Sequence, residues 1–493
     1  MTSILDSTTA WCAALLLATP CAAQWSTDSL ALARYEHAAA ESGGLLFFGG
    51  GFAQGKAPTD SVEVYDPAGG TWSTLSLSVP RMSLAAAATG GIVAFAGGFE
   101  KSWACASDVV DLYDTATGTW SVTHLPQAVF GFAGVGVDTK LIFHGGIIEG
   151  GGALTVAQVY DLATGTWSSV DLQAGIRGWG ATATDGRRAF LVGGGGWTQE
   201  GSETLNIYDS LTDQWSKVTM PNKHPSVRAV AHLGKLYVTG GCFVLRLLDI
   251  YDIETGTWES TLLPGEGRCE HVSTAVGPYV IFAGGLNYSF DSLATADILN
   301  TVTGEWITTP ISVHGAFAAG AASADDNTVV IAGGQVNTQS HSYTDAVDVF
   351  RYQASIGTPY CGPANLNSSG KPATLSAFGV DTAADSFLTL VASDLATNQF
   401  GYFLASETQG FIPLPGGSQG NLCLSGDIAR IRDQILFSGD DGTFALTPNL
   451  HAIPTHPPST VLRGETWNFQ AWFRDHNPAP TSNFTDGLAV TFT

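Results

Sequence analysis

Gly97-Gly98, then Val109-Val110-Asp111-Leu112-Tyr113, then Asp114-Thr115-Ala116-Thr117-Gly118-Thr119-Trp120 is the stretch that decides the fold. An apolar run ends in a glycine doublet, an alternating strand ends in a tyrosine, and a tryptophan stands seven residues later. Asp114 can cap its own turn through its side chain, and Gly118 supplies the positive φ that a bulged hairpin needs. The same marks return along the chain. Doublets stand at Gly49-Gly50, Gly97-Gly98, Gly145-Gly146, Gly193-Gly194, Gly240-Gly241, Gly284-Gly285 and Gly333-Gly334. The seven-residue spacing recurs from Tyr65 to Trp72, Tyr160 to Trp167, Tyr208 to Trp215, Tyr251 to Trp258 and Leu299 to Trp306. With Trp25, the tryptophans are separated by 47, 48, 47, 48, 43 and 48 residues. A period of that length marks repeated units that bury a continuous core only by stacking on their neighbours. Alternating strands with turn signals at this period predict four-stranded blades around an axis.

The pattern resembles the kelch repeat from about Gln24 to Gln353. That resemblance implies a β-propeller, a fold shared by oxidases, sugar isomerases and pure binding proteins. Trp25 precedes the first doublet, while the last strand, Ala346-Val347-Asp348-Val349-Phe350, has no tryptophan after it. Pairing the two gives an all-β ring of seven blades, closed by an N-terminal strand that completes the last sheet. Closure removes two exposed sheet edges.

Composition narrows the function classes. Charged residues make up 13% of the 493, and the net charge of −24 leaves no clustered bases for nucleic-acid phosphates. Ala10 to Ala18 form a short apolar core followed by Pro20, and Ala23 suits cleavage before Gln24, so residues 1–23 read as an export signal. The segment carries Asp6 and lacks a Lys or Arg near Met1. No later stretch reads as a transmembrane segment. Export would put the chain in an oxidising compartment, secreted or at the cell surface, where two disulfides and one free thiol are expected from Cys105, Cys242, Cys269, Cys361 and Cys423. Cys361 with Cys423 is the preferred pair and Cys242 with Cys269 the second. The expected organisation is signal 1–23, propeller 24–353, linker 354–360 and a C-terminal β-sandwich at 361–493. Within the last, the segments around Tyr360-Cys361-Gly362-Pro363 and Trp467-Asn468-Phe469 resemble a C-terminal module of secreted bacterial proteins.

Propeller sites gather where loops converge on the channel mouth. There the chain sets Arg34, Arg81, Arg177, Arg228 and Arg268, at 9, 9, 10, 13 and 10 residues after their tryptophans. Converging guanidinium groups suit an anionic ligand; alternatively, they bond carbonyls between blades. Two loops add acids and histidines, Arg34-Tyr35-Glu36-His37 and Arg268-Cys269-Glu270-His271. These could be acid/base pairs or inner-strand packing. The copper-radical, galactose-oxidase-like relatives need a Tyr-His dipeptide, which does not occur. No zinc-ligand spacing, phosphate loop or nucleophile motif is present, and no cofactor is expected. The favoured reading is a binding protein whose Arg34, Arg81, Arg177, Arg228, Arg268, Glu36 and Glu270 meet an extracellular protein or carbohydrate. The alternative is a carbohydrate-active mutarotase, epimerase or oxidase.

Overall fold

The computed structural model describes residues 25–55, 57–101, 105–172, 178–195, 201–240, 246–323, 327–337 and 342–493. Contacts divide them into two units, Trp25–Ala354 and Ser355–Thr493. Among the described residues the regular structure is β-strand, apart from a short 3-10 turn at Pro415–Gly417.

The first unit is a ring of seven four-stranded antiparallel sheets. Blade 1 runs Ala38–Ser42, Leu45–Gly49, Ser61–Asp66, Thr71–Ser76; blade 2 runs Ala85–Thr89, Ile92–Ala96, Val109–Asp114, Thr119–His124. The inner strands of blades 3 to 7 are Ala133–Val137, Ala181–Thr184, Val227–His232, Val272–Val276 and Ala319–Ser323. Each inner strand neighbours the next, and the seventh neighbours the first. Blade 7 is completed by Trp25–Ser29, which pairs antiparallel with Ala346–Arg351 and sets Trp25 opposite Phe350. The strap is also held by blade 1, because the Trp72 indole N–H donates to Asp28 at 2.8 Å.

The sequence marks become contacts. Tyr65 lies opposite Trp72 and Tyr113 opposite Trp120, with ring centroids 4.8 and 4.9 Å apart. Asp114 accepts from the backbone N–H of Ala116 at 2.8 Å and Thr117 at 3.2 Å. The cores lie between blades: Phe47 and Val64 of blade 1 share one cluster with Val93 and Phe95 of blade 2. Glycine doublets stand where backbones nearly touch. A Cβ on Gly97 would lie 2.5 Å from the Val129 carbonyl oxygen, and one on Gly284 2.3 Å from that of His314. In blade 1 the equivalent pair is Gly50-Gly51, one residue on from the expected doublet, since Gly50 would meet the Arg81 carbonyl at 2.6 Å.

In the second unit one sheet joins Thr358–Tyr360, Gly487–Thr491, Thr466–His476, Phe400–Ser406 and Ala429–Phe437, with Pro480–Phe484 paired to Thr466–His476. The other joins Thr374–Gly379, Leu388–Ser393 and Phe444–Leu446. Leu375, Leu390 and Phe444 share a buried core with Phe403, Trp467, Phe469, Phe473 and Val490, which makes the unit a β-sandwich. Cys361 and Cys423 form a disulfide in it. Cys269 is disulfide-bonded as well, while Cys242 lies outside the described residues. Cys105 is free and exposed.

Candidate functional site

The arginine cluster splits when the backbone is traced. Of the two readings of Arg34, Arg81 and Arg268, free guanidinium groups at the mouth or guanidinium groups bonded to carbonyls, the structure shows the second, within a blade and not between blades, and each is 0% exposed. Each spans its own blade in the same way. Arg34 pairs with Glu63 and donates to the carbonyls of Gly50 at 3.2 Å and Ser61 at 2.9 Å. Arg81 pairs with Asp111 and donates to Gly97 at 2.8 Å and Val109 at 2.6 Å. Arg268 pairs with Asp297 at 2.7 Å and donates to Gly284 and Thr295, both at 2.9 Å. Burial lowers all three arginine pKa values and the partner carboxylate opposes it. A buried charge is tolerable only when paired in this way; the carbonyls of Gly50, Gly97 and Gly284 gain a donor, and those of Ser61, Val109 and Thr295, which already accept from the N–H of those glycines, gain a second. These residues are internal struts.

Histidine takes the same place in two other blades. His224 Nε2 meets Asp249 at 2.8 Å, and His314 Nε2 meets Asp348 at 2.6 Å with Nδ1 on the Gly333 carbonyl at 2.9 Å. Every acid in the set stands two residues before the strand's aromatic or leucine: Glu63, Asp111, Asp249, Asp297 and Asp348 precede Tyr65, Tyr113, Tyr251, Leu299 and Phe350. That regularity is a signal in the sequence from which the strut partners can be found.

A second set of residues starts two positions after the arginine. Glu36, Ser83, Gly131, Trp179, Ser226, Glu270 and Phe317, one per blade, all have positive φ, between 50° and 62°. Backbone hydrogen bonds join six of them into a belt across blades. The N–H of Ser83 donates to Glu36 at 3.0 Å, Gly131 to Ser83 at 3.1 Å and Trp179 to Gly131 at 2.9 Å. On the other side Glu36 donates to Phe317 at 3.2 Å and Phe317 to Glu270 at 3.3 Å. Six of these seven are not glycine, so each carries roughly 1 kcal/mol or more of backbone strain that glycine would avoid.

Inside the belt lies a cavity of about 300 Å³, lined by Glu36, Ser83, Gly131, Trp179 and Phe317 of the belt and by Arg228. Arg228 is 24% exposed on its side chain; its Nη2 donates to Glu270 at 2.5 Å and its Nε to the His271 carbonyl at 3.0 Å. Glu36 accepts a short hydrogen bond from the Ser83 hydroxyl. Burial pushes the Glu36 pKa up to about 7; the Ser83 bond lowers it and the Glu270 charge raises it. His37 and His271 do not pair with the glutamates beside them. Their rings pack near Phe48 and Phe282, with centroids 6.3 and 6.1 Å away. Burial, with nearby arginine charge, pushes the His37 pKa down to about 3 and that of His271 well below 6.5. Both are neutral, and both stand among the residues that line the cavity. Of the seven site residues expected, Glu36 and Arg228 line the cavity, Glu270 is buried behind it against Arg228, three are struts, and Arg177 lies outside the described residues.

Comparison with known proteins agrees with the repeat. A family model described as the KLHDC2/KLHL20/DRC7 Kelch-repeats domain matches residues 85–285, and the Kelch motif model matches 33–76. The chain is 28% identical over 134 residues to Kelch-like protein 26 of Danio rerio, covering 25% of this chain and 22% of that protein. It is 28% identical over 100 residues to the F-box/kelch-repeat protein At4g39580 of Arabidopsis thaliana, covering 18% and 26%. The matched region thus spans about a quarter of the length of these curated relatives. A solved structure titled "Structure of YjhT" aligns with a TM-score of 0.46 at 14% identity, over 57% of this chain and 99% of that one. With its glycine doublets, its tyrosine–tryptophan hairpins and these matches, the ring of this chain is a propeller of kelch repeats.

Proposed function

We propose that this is an exported binding protein whose channel mouth recognises an extracellular protein or glycan. A kelch-repeat propeller supports a protein-interaction scaffold, and the observation that points to the mouth is the belt. Folding alone is served by glycine at all seven left-handed positions, yet six carry side chains, four of which line the cavity. Residues held in sparsely populated conformations gather where a surface must present fixed groups. The ion pair of Arg228 with Glu270 and the burial of the struts remove the arginine-lined anion site from this reading. Export rests on the apolar run from Ala10 to Ala18 before Gln24.

The test is a thermal-shift screen of the full chain against saccharides and extracellular proteins, repeated with Trp179→Gly. Glycine is unstrained where Trp179 has φ 60°. A ligand at a hundredfold excess over its Kd adds about 2.7 kcal/mol. The shift is expected to vanish in the variant; a shift that survives places the site elsewhere.

A further inference from the structure

The cavity carries an imbalance of charge. Its two charged lining side chains among the described residues are Glu36 and Arg228, and the Arg228 charge is met by Glu270. Glu36 has only the Ser83 hydroxyl as a side-chain partner, and no described cation pairs with it. Three aromatic side chains line the same space: Phe132, Trp179 and Phe317. The Trp179 indole lies over Gly131, where an added Cβ would come within 3.5 Å of its ring. A volume near 300 Å³ is small for a folded surface and suits a single long side chain. A carboxylate ligand would meet an arginine already engaged and a glutamate that repels it. A cation would meet an uncompensated carboxylate and an aromatic face, which attract it together.

We propose that the mouth selects a protonated amine or guanidinium group of its partner, a lysine or arginine side chain, with Glu36 as counter-ion and the Trp179 ring as wall. This rests on the reading of the mouth as the docking place and gives it a chemistry. It also reverses the sign of ligand that the loop arginines suggested.

The probes are the tripeptides Gly-Lys-Gly, Gly-Arg-Gly, Gly-norleucine-Gly and Gly-Glu-Gly, titrated calorimetrically into the full chain at low salt and pH 8. Norleucine keeps the length of lysine without its charge. The lysine or arginine peptide is expected to bind at least tenfold tighter than the norleucine peptide. Glu36→Gln, with an unchanged melting temperature, is expected to erase that difference. The proposal is overturned if lysine and norleucine bind alike, if no peptide binds, if the preference survives Glu36→Gln, or if the glutamate peptide binds tightest. Failure of the mouth reading looks different. There, whatever ligand binds the wild type, charged or neutral, keeps its affinity in Trp179→Gly. A norleucine or saccharide ligand lost in Trp179→Gly overturns the cation and leaves the mouth standing.

Discussion

Arg34 and Glu36 are two residues apart, as are Arg81 and Ser83, and Arg268 and Glu270, yet the two sets do opposite work. The arginines turn into their own blades, lose all exposure and satisfy carbonyls beside the glycine doublets. The belt residues turn to the axis, hold left-handed backbones and, in Glu36 and Ser83, place polar groups on a cavity. A loop charge near a channel is therefore poor evidence of a site by itself. What decides is whether the blade supplies a buried partner. Glu63, Asp111 and Asp297 do so for the arginines, and no cation among the described residues does so for Glu36.

The comparison breaks first, and most heavily, at the struts. Arg81→Ala leaves Asp111 buried and unpaired and strips donors from Gly97 and Val109, so it is expected to cost about 3–5 kcal/mol. Replacing both partners, Arg81→Met with Asp111→Leu, is expected to recover much of that. Denaturant or thermal melts decide; a melt of Arg81→Ala equal to wild type would mean that the strut is ornamental.

Acid separates the regions next. His37 and His144 are held down to about 3 and about 4, and His271 well below 6.5, chiefly by burial. From pH 6.5 downward the unfolded chain takes up protons that these folded-state rings refuse, so stability falls as pH falls. Glu36 runs the other way. Its folded value of about 7 against an ordinary 4.5 makes the folded state bind the proton first, adding stability between pH 7 and 4.5. Three histidines against one glutamate leave a net loss, about 1.4 kcal/mol per pH unit for each unopposed proton. A melting temperature that stays flat from pH 7 to pH 5 contradicts this.

The smallest effect is expected in the belt. Glu36→Gly removes roughly 1 kcal/mol of left-handed strain and a hydrogen bond of about equal worth, so its melting temperature should move by only a few degrees. A drop as large as that of Arg81→Ala would make Glu36 a structural residue.

The ring was legible because its marks are covalently local. The turn from Asp114 to Gly118, the seven-residue step from Tyr113 to Trp120 and the doublet at Gly97 each state a backbone requirement within a few residues. The offset between Trp25 and Phe350 gave the closing strand, since the seven marks balance only when those two pair. The struts were half legible. Arg81 stands out in a chain poor in bases, but Asp111, two residues before Tyr113, looks like any polar position of an alternating strand until the fold brings it to the arginine. The belt left no local signal. Glu36, Ser83, Trp179, Ser226, Glu270 and Phe317 share no side-chain chemistry, and φ near 55° is ordinarily announced by glycine or asparagine. Their common feature is position in a closed ring, which comes into being only when seven distant segments meet.

The central claim is that the belt carries side chains for binding and the struts for folding. One pair of melts tests it most directly: Glu36→Gly/Ser83→Gly/Trp179→Gly against Arg81→Ala. The triple variant, with three side chains of the cavity removed, is expected to melt within a few degrees of wild type, while the single arginine change melts far below. A triple variant that melts as low as Arg81→Ala would show that the belt side chains hold the ring together, and the channel mouth would lose its claim to be the site.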